Sequence, residues 1–289
     1  MARRRALAAL GSKLRTNNTL TLKSGAAETP RLICSPDLIF ERATIDAALR
    51  DACTNPDPSA LRAAAVDILR NAQKSGRAEI ATGFAASPFD ARAMTRAYTY
   101  LTDHLVQTAL YVAAELLHPK PNPTEGERLS VIGVGGYGRG EMAPFSDVDL
   151  LFLIPYKVTA WSESVIESML YMLWDLKLKV GHATRTIRDC VRLGGEDFTI
   201  QTALLEHRYI AGDVPLTKEL AETLRSELFS GSGQDFIVAK LEERDRRHIK
   251  QGERYVVEPN VKEGKGGLRD LHSLFWISKF IHNVDDIAD

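Results

Sequence analysis

The chain has 289 residues, 44% hydrophobic and 26% charged, which is enough apolar content for one or two ordinary cores and too much for a disordered chain. Its 37 basic and 38 acidic residues are well mixed and leave a formal net charge of -1, so there is no sequence-independent pull on a nucleic-acid backbone and no basis for a polymerase-like grip on DNA. No apolar run reaches the roughly 18 residues of a membrane span, and Cys34, Cys53 and Cys190, without CxxC spacing, point to a reducing cytoplasm rather than to a zinc site or a disulfide framework.

In chain order, residues 1–29 come first, basic and with an apolar run too short for a secretory signal; they read as a mobile arm. Residues 30–118 read as a helical region. Ser59 stands after a turn-forming run and is placed to cap a helix through Leu61, Ala65, Ile68, Leu69 and Ala72 that ends near Gly76. A longer helix follows Pro88, because Met94, Ala97, Leu101, Leu105, Ala109, Val112 and Leu116 recur every three or four residues until Pro119 and Pro121 stop it.

Residues 119–215 read as the core that carries the chemistry. A proline-punctuated connector leads to a buried strand at 129–134, glycines crowd from Gly133 to Gly140, a turn follows at Ala143, Pro144 and Phe145, and a second buried strand runs over 148–154. Residues 161–178 have helical periodicity, and 180–187 read as a third strand. The remainder, 216–289, reads as helices at about 216–229 and 236–249, then a glycine-rich turn and a last helix from about Leu268. The fold class is therefore α/β in the α+β sense: a small mixed sheet flanked by helices, with helical segments at both ends.

The block from Gly133 to Phe152 is the informative one. A glycine-rich turn after a strand lets backbone N–H groups approach phosphate oxygens, and a helix N-terminus behind it adds its positive end. Asp147 and Asp149 are two apart on a strand, leave the same face, and can share hard cations such as Mg²⁺. Glycine clusters are often plain turns, and an aspartate at a strand start is often a solvated cap. Here the flanking apolar runs bury the strand, so two carboxylates on it call for a neutralising charge.

Gly133, Gly135 and Gly138 also match the dinucleotide fingerprint. The match is poor, since only about fourteen residues separate the two strands, too few for a crossover helix. No lysine and hydroxyl pair follows the glycines, so a Walker P-loop is excluded.

The pattern Gly135-Gly136 followed by Ser146-Asp147-Val148-Asp149-Leu150-Leu151 resembles the signature of the DNA-polymerase-β-type nucleotidyltransferase superfamily. In its fuller spelling it resembles the bacterial PII-uridylyltransferase/uridylyl-removing enzyme family. A second block, residues 257–272, is similar to a segment which that family shares in looser form with glutamine synthetase adenylyltransferase.

The resemblance implies transfer of UMP from UTP to a tyrosine of the PII signal protein, with release of pyrophosphate. It implies catalytic and metal-binding roles for Asp147 and Asp149, Mg²⁺ as cofactor, and nucleotide contacts from Gly135, Gly136, Gly138, Arg139, Ser146, Lys265 and Arg269. Arg139 could equally pair with Glu141, and the later block could be an N-terminal turn with solvated lysines. The strand from Val180 to Arg185 holds no third carboxylate, leaving His182 to take part or to be a plain core or surface histidine. The family continues into hydrolase and sensor domains, so the chain reads as a fragment lacking uridylyl removal and glutamine sensing. Two other readings stand beside this one: adenylyl transfer to glutamine synthetase, and a catalytically silent nucleotide-binding regulatory fragment.

Overall fold

The computed structural model describes residues 31–120, 124–231, 233–251 and 260–282; the arm expected at 1–29 lies outside them. The chain divides into two compact units, the first running to Thr186 and including His207–Lys218, the second made of Ile187–Glu206 and the chain from Glu219 onward.

The first unit opens with helices α1 (Pro36–Ile39), α2 (Arg42–Ala52), α3 (Pro58–Ala86) and α4 (Ala91–Tyr111), the last running into a π-helical turn, Val112–Leu117. Asp57, not Ser59, caps α3, accepting from the Ser59 and Ala60 amides at 3.0 and 3.3 Å, with Pro58 at the first helical position. Nor does α3 end near Gly76. That glycine is buried in mid-helix because a Cβ there would run into the Ile39 carbonyl oxygen, so it marks a close approach of α1 rather than a stop.

The sheet has four strands in the order β3-β2-β1-β4: β1 (Ser130–Gly133), β2 (Val148–Leu153), β3 (Val180–Arg185) and β4 (Arg208–Gly212). β1 is antiparallel to both β2 and β4, and β2 is parallel to β3. The antiparallel β1–β2 pair removes the dinucleotide reading, which needs a parallel unit with a crossover helix. Between them lies only the four-residue α5 (Gly135–Gly138). Helix α6 (Ala160–Asp175) connects β2 to β3. One sheet face, through Val131, Val148, Leu150 and Phe152, shares a core with Leu105 and Ala109 of α4 and Val165 and Met169 of α6. By strand alternation the other face carries Asp149, Leu151 and Leu153.

The second unit is helical: α7 (Ile187–Glu196), α8 (Phe198–Leu205), α10 (Gly233–Gln251) and α11 (Leu268–His282), while α9 (Val214–Thr223) spans the division. Its core joins Leu205, Phe236, Phe275, Trp276 and Phe280, with the Phe236 and Phe280 rings stacked at 4.5 Å between centroids. Among the described residues no helix is long and apolar enough to cross a membrane.

Candidate functional site

β1 ends at Gly133, and Val134 continues it, donating its amide to the Asp149 carbonyl at 3.0 Å. The chain then reverses through Gly135 with φ of +58°, a conformation glycine adopts without strain. Amides of Gly138 and Arg139 close the turn onto the carbonyls of Val134 and Gly135 at 3.1 and 3.0 Å. The helix N-terminus anticipated behind the glycines is this single turn, too short for an appreciable macrodipole, so whatever the turn offers an anion comes from its local backbone.

Asp149 is half-buried at the start of β2, and exposed Asp147 precedes it by two residues. Burial, reinforced by the Asp147 charge, pushes the Asp149 carboxyl above its ordinary range. The pair therefore concentrates negative charge that a cation would relieve. Two glycines leave the space this needs. A Cβ on Gly135 would stand 3.6 Å from Asp149 Oδ2, and one on Gly181, which pairs with Asp149 across β3, would stand 2.5 Å from Asp149 Oδ1.

The remaining residues expected here take differing roles. Gly136 faces the Arg139 guanidinium, 3.7 Å from a Cβ placed on it, and Arg139 lies 3.7 Å from the Glu141 carboxylate, so its cation is shared with that acid. Ser146 closes the loop before β2: its amide donates to the Ala143 carbonyl at 3.1 Å and its hydroxyl accepts from the Ala143 amide at 3.0 Å. His182 pairs with Leu150, and its ring lies 6.4 Å from Phe152 and 6.2 Å from Trp174, which puts it on the helix-covered face, away from Asp149. Among the described residues no group of three His, Cys, Asp or Glu side chains is arranged to hold a metal.

The later block lies in the second unit. Asn260 Oδ1 accepts from the Lys262 and Glu263 amides at 3.0 and 2.9 Å, starting a compact loop. Asp270 finishes it, accepting from the Gly266 amide at 2.7 Å, from Arg247 at 2.6 Å and from His248 at 3.0 Å. Those bonds hold the Asp270 carboxyl below the usual carboxylate range against the opposing effect of burial. Arg269 pairs with Glu263 at 3.4 Å and sits 5.7 Å from the Trp276 ring centre. Lys262 and Lys265 are the exposed cations of the loop.

Sequence reading missed Gly181, an unremarkable strand residue until β3 is seen beside β2. It also missed Arg208, Asp103 and Tyr137, which surround the back of the glycine turn. Chain separation hides the Asp103–Arg208 pair, whose members stand 105 residues apart, while Tyr137 lies inside the glycine turn itself.

Residues 235–289 match the family described as GlnD PII-uridylyltransferase, and residues 29–173 match that described as Glutamate-ammonia ligase adenylyltransferase. Relatives named bifunctional uridylyltransferase/uridylyl-removing enzyme are 63% identical over 87% of this chain in Ruegeria pomeroyi, 60% over 81% in Cereibacter sphaeroides and 45% over 89% in Rhodospirillum rubrum. The chain belongs to this uridylyltransferase/uridylyl-removing enzyme family. It spans about a quarter of the length of those relatives, the aligned stretches being 28%, 25% and 28% of them.

Proposed function

We propose that this chain transfers UMP from UTP to a tyrosine hydroxyl of a PII-type signal protein. The observation that carries the reading is the Asp147–Asp149 pair at the head of β2, with Asp149 set between Gly135 and Gly181, whose missing side chains leave its carboxylate room for a cation and a phosphate. Two carboxylates, completed by phosphate oxygens and water, suit Mg²⁺, which is commonly held by one or two protein carboxylates plus substrate. When bound there, Mg²⁺ supplies positive charge against the triphosphate and lowers the pKa of an incoming phenol, ordinarily about 10.

The residues themselves hold and orient. Asp147 and Asp149 gather the cation, the glycine turn leaves its backbone uncovered for the polyphosphate, and Arg139 is the candidate cation for the phosphate oxygens. In the reaction the phenolic oxygen forms a bond to the α-phosphorus as the bond to the bridging oxygen of the β-phosphate breaks, pyrophosphate leaves and the phenol proton is released.

The test is to incubate the purified chain with a PII-type protein, Mg²⁺ and either UTP or ATP, and to weigh the target protein. A uridylyl-sized mass increase from UTP alone supports the reading. The match of residues 29–173 to an adenylyltransferase family supports a second one, adenylyl transfer to glutamine synthetase, which predicts modification of that protein from ATP instead. No transfer to either target, with nucleotide binding retained, makes the chain a silent nucleotide-binding fragment.

A further inference from the structure

The glycine turn is held from behind by an ion pair. Arg208, the first residue of β4, donates from Nε to the Gly138 carbonyl at 3.1 Å and from a terminal nitrogen to the Tyr137 carbonyl at 3.1 Å. The same guanidinium grips Asp103 of α4 with bonds of 2.7 and 3.0 Å. Tyr137, buried at 1% exposure, donates its phenol to Asp103 at 2.7 Å. Burial first, then the Asp103 charge, holds that phenol well above its ordinary pKa, so it remains a donor.

Only arginine serves all these acceptors at once, because its planar fork carries five donors in fixed directions whereas a lysine ammonium is a single point charge. The anchored end of the turn is Tyr137–Gly138; its other end is Gly135, which abuts the Asp149 carboxylate.

We infer that Arg208, oriented by Asp103, is a positioning residue: it fixes the carbonyl end of the Gly135–Gly138 turn and so sets where Gly135 and Gly136 stand against Asp149 and against the polyphosphate of a bound nucleotide. The coupling to nucleotide rests on the function proposed above; the coupling to the turn does not.

The experiment compares the full chain with Arg208→Lys, with Tyr137→Phe, which deletes one hydroxyl and preserves the ring, and with Gln107→Ala. Gln107 donates to the Ile210 carbonyl at 3.1 Å, tying α4 to β4 without touching the turn. Two readouts are taken: hydrogen exchange of the peptide spanning residues 134–140 without nucleotide, and calorimetric affinity for Mg·UTP and for inorganic tripolyphosphate. Arg208→Lys is expected to speed exchange in that peptide and to weaken both ligands by at least about tenfold, the scale of losing one charge-assisted hydrogen bond. Tyr137→Phe should do the same to a smaller degree, while Gln107→Ala leaves affinity unchanged.

Unchanged exchange in both turn variants would overturn the positioning role. Faster exchange with wild-type affinity would show that the brace is structural only and overturn its link to the ligand. A wild-type chain that binds neither ligand would instead sink the nucleotide reading and with it that link, while exchange would still report on the turn.

Discussion

At the scale of single residues, the most exacting feature is the absence of a side chain. Gly181 has an ordinary strand conformation and sits on the edge strand β3, where alanine would be tolerated on backbone grounds. Its constraint comes from Asp149 alone, since a Cβ would stand 2.5 Å from Asp149 Oδ1 and the carboxylate would have to rotate away. Gly181→Ala should therefore leave the thermal midpoint close to that of the parent while raising the Mg²⁺ concentration needed for half-maximal transfer by roughly 10–100-fold, the range seen when the surroundings of a metal ligand are disturbed. Titrating Mg²⁺ at saturating UTP checks this. A normal Mg²⁺ requirement in a normally folded variant would show that Asp149 adapts or does not carry the metal. Asp149→Asn provides the comparison, because it removes the carboxylate's charge without adding bulk.

At the scale of elements, Gly76 presents opposing contributions whose sizes decide the outcome. Alanine in a helix interior is favoured over glycine by about 1 kcal/mol. Against this, a Cβ at position 76 would strike the Ile39 carbonyl oxygen and come within 3.0 Å of a Leu101 methyl, a backbone and a packed side chain that cannot both retreat. Overpacking of this kind typically costs about 1–3 kcal/mol. Gly76→Ala should thus be net destabilising, by up to about 2 kcal/mol in urea unfolding, whereas a stabilised variant would mean that α1 moves off α3 at little cost.

The same position shows what the sequence could and could not convey about these elements. Apolar periodicity revealed α3, α4, α6 and the two central strands, because each buries one continuous stripe or face in a single core. It misplaced the end of α3, since a glycine needed for close packing and one that stops a helix look alike in a linear string. It passed over β4, whose five residues are too few to show alternation, and α7, an amphipathic helix only ten residues long. The Asp147–Asp149 pair and the glycine turn were legible because neighbours in the chain form them. Gly181 and the Arg208–Asp103 brace were not, because sheet pairing brings them together.

At the scale of the whole molecule, acid should weaken the first unit in two stages set by different groups. His104 is packed against the rings of Tyr100 and Phe40 at 4.2 and 5.1 Å, with Nδ1 3.0 Å from the Tyr100 carbonyl. Burial pushes its pKa down, and Arg42 adds to this, while the Tyr100 carbonyl and Asp103 oppose it. The folded chain therefore keeps the ring neutral where the unfolded chain already takes up a proton, below about 6.5. The resulting stability is fully present above that value and is lost as pH falls toward the lower folded pKa.

Asp213 belongs to the later stage. Its two 2.9 Å bonds from Arg128 hold its carboxyl below the ordinary value, so its contribution persists until pH drops below about 4. The first stage can be followed separately, because Trp161 and Trp174 lie in the first unit and Trp276 in the second. In a Trp276→Phe background, the urea midpoint reported by fluorescence should fall between about pH 7.5 and about pH 5.5, where histidine alone among ordinary side chains changes charge. His104→Gln loses ring packing and should be less stable at both values, but its midpoint should change less between them than that of the parent chain. An identical drop in both chains would assign the acid sensitivity to other groups and leave His104 a packing residue only.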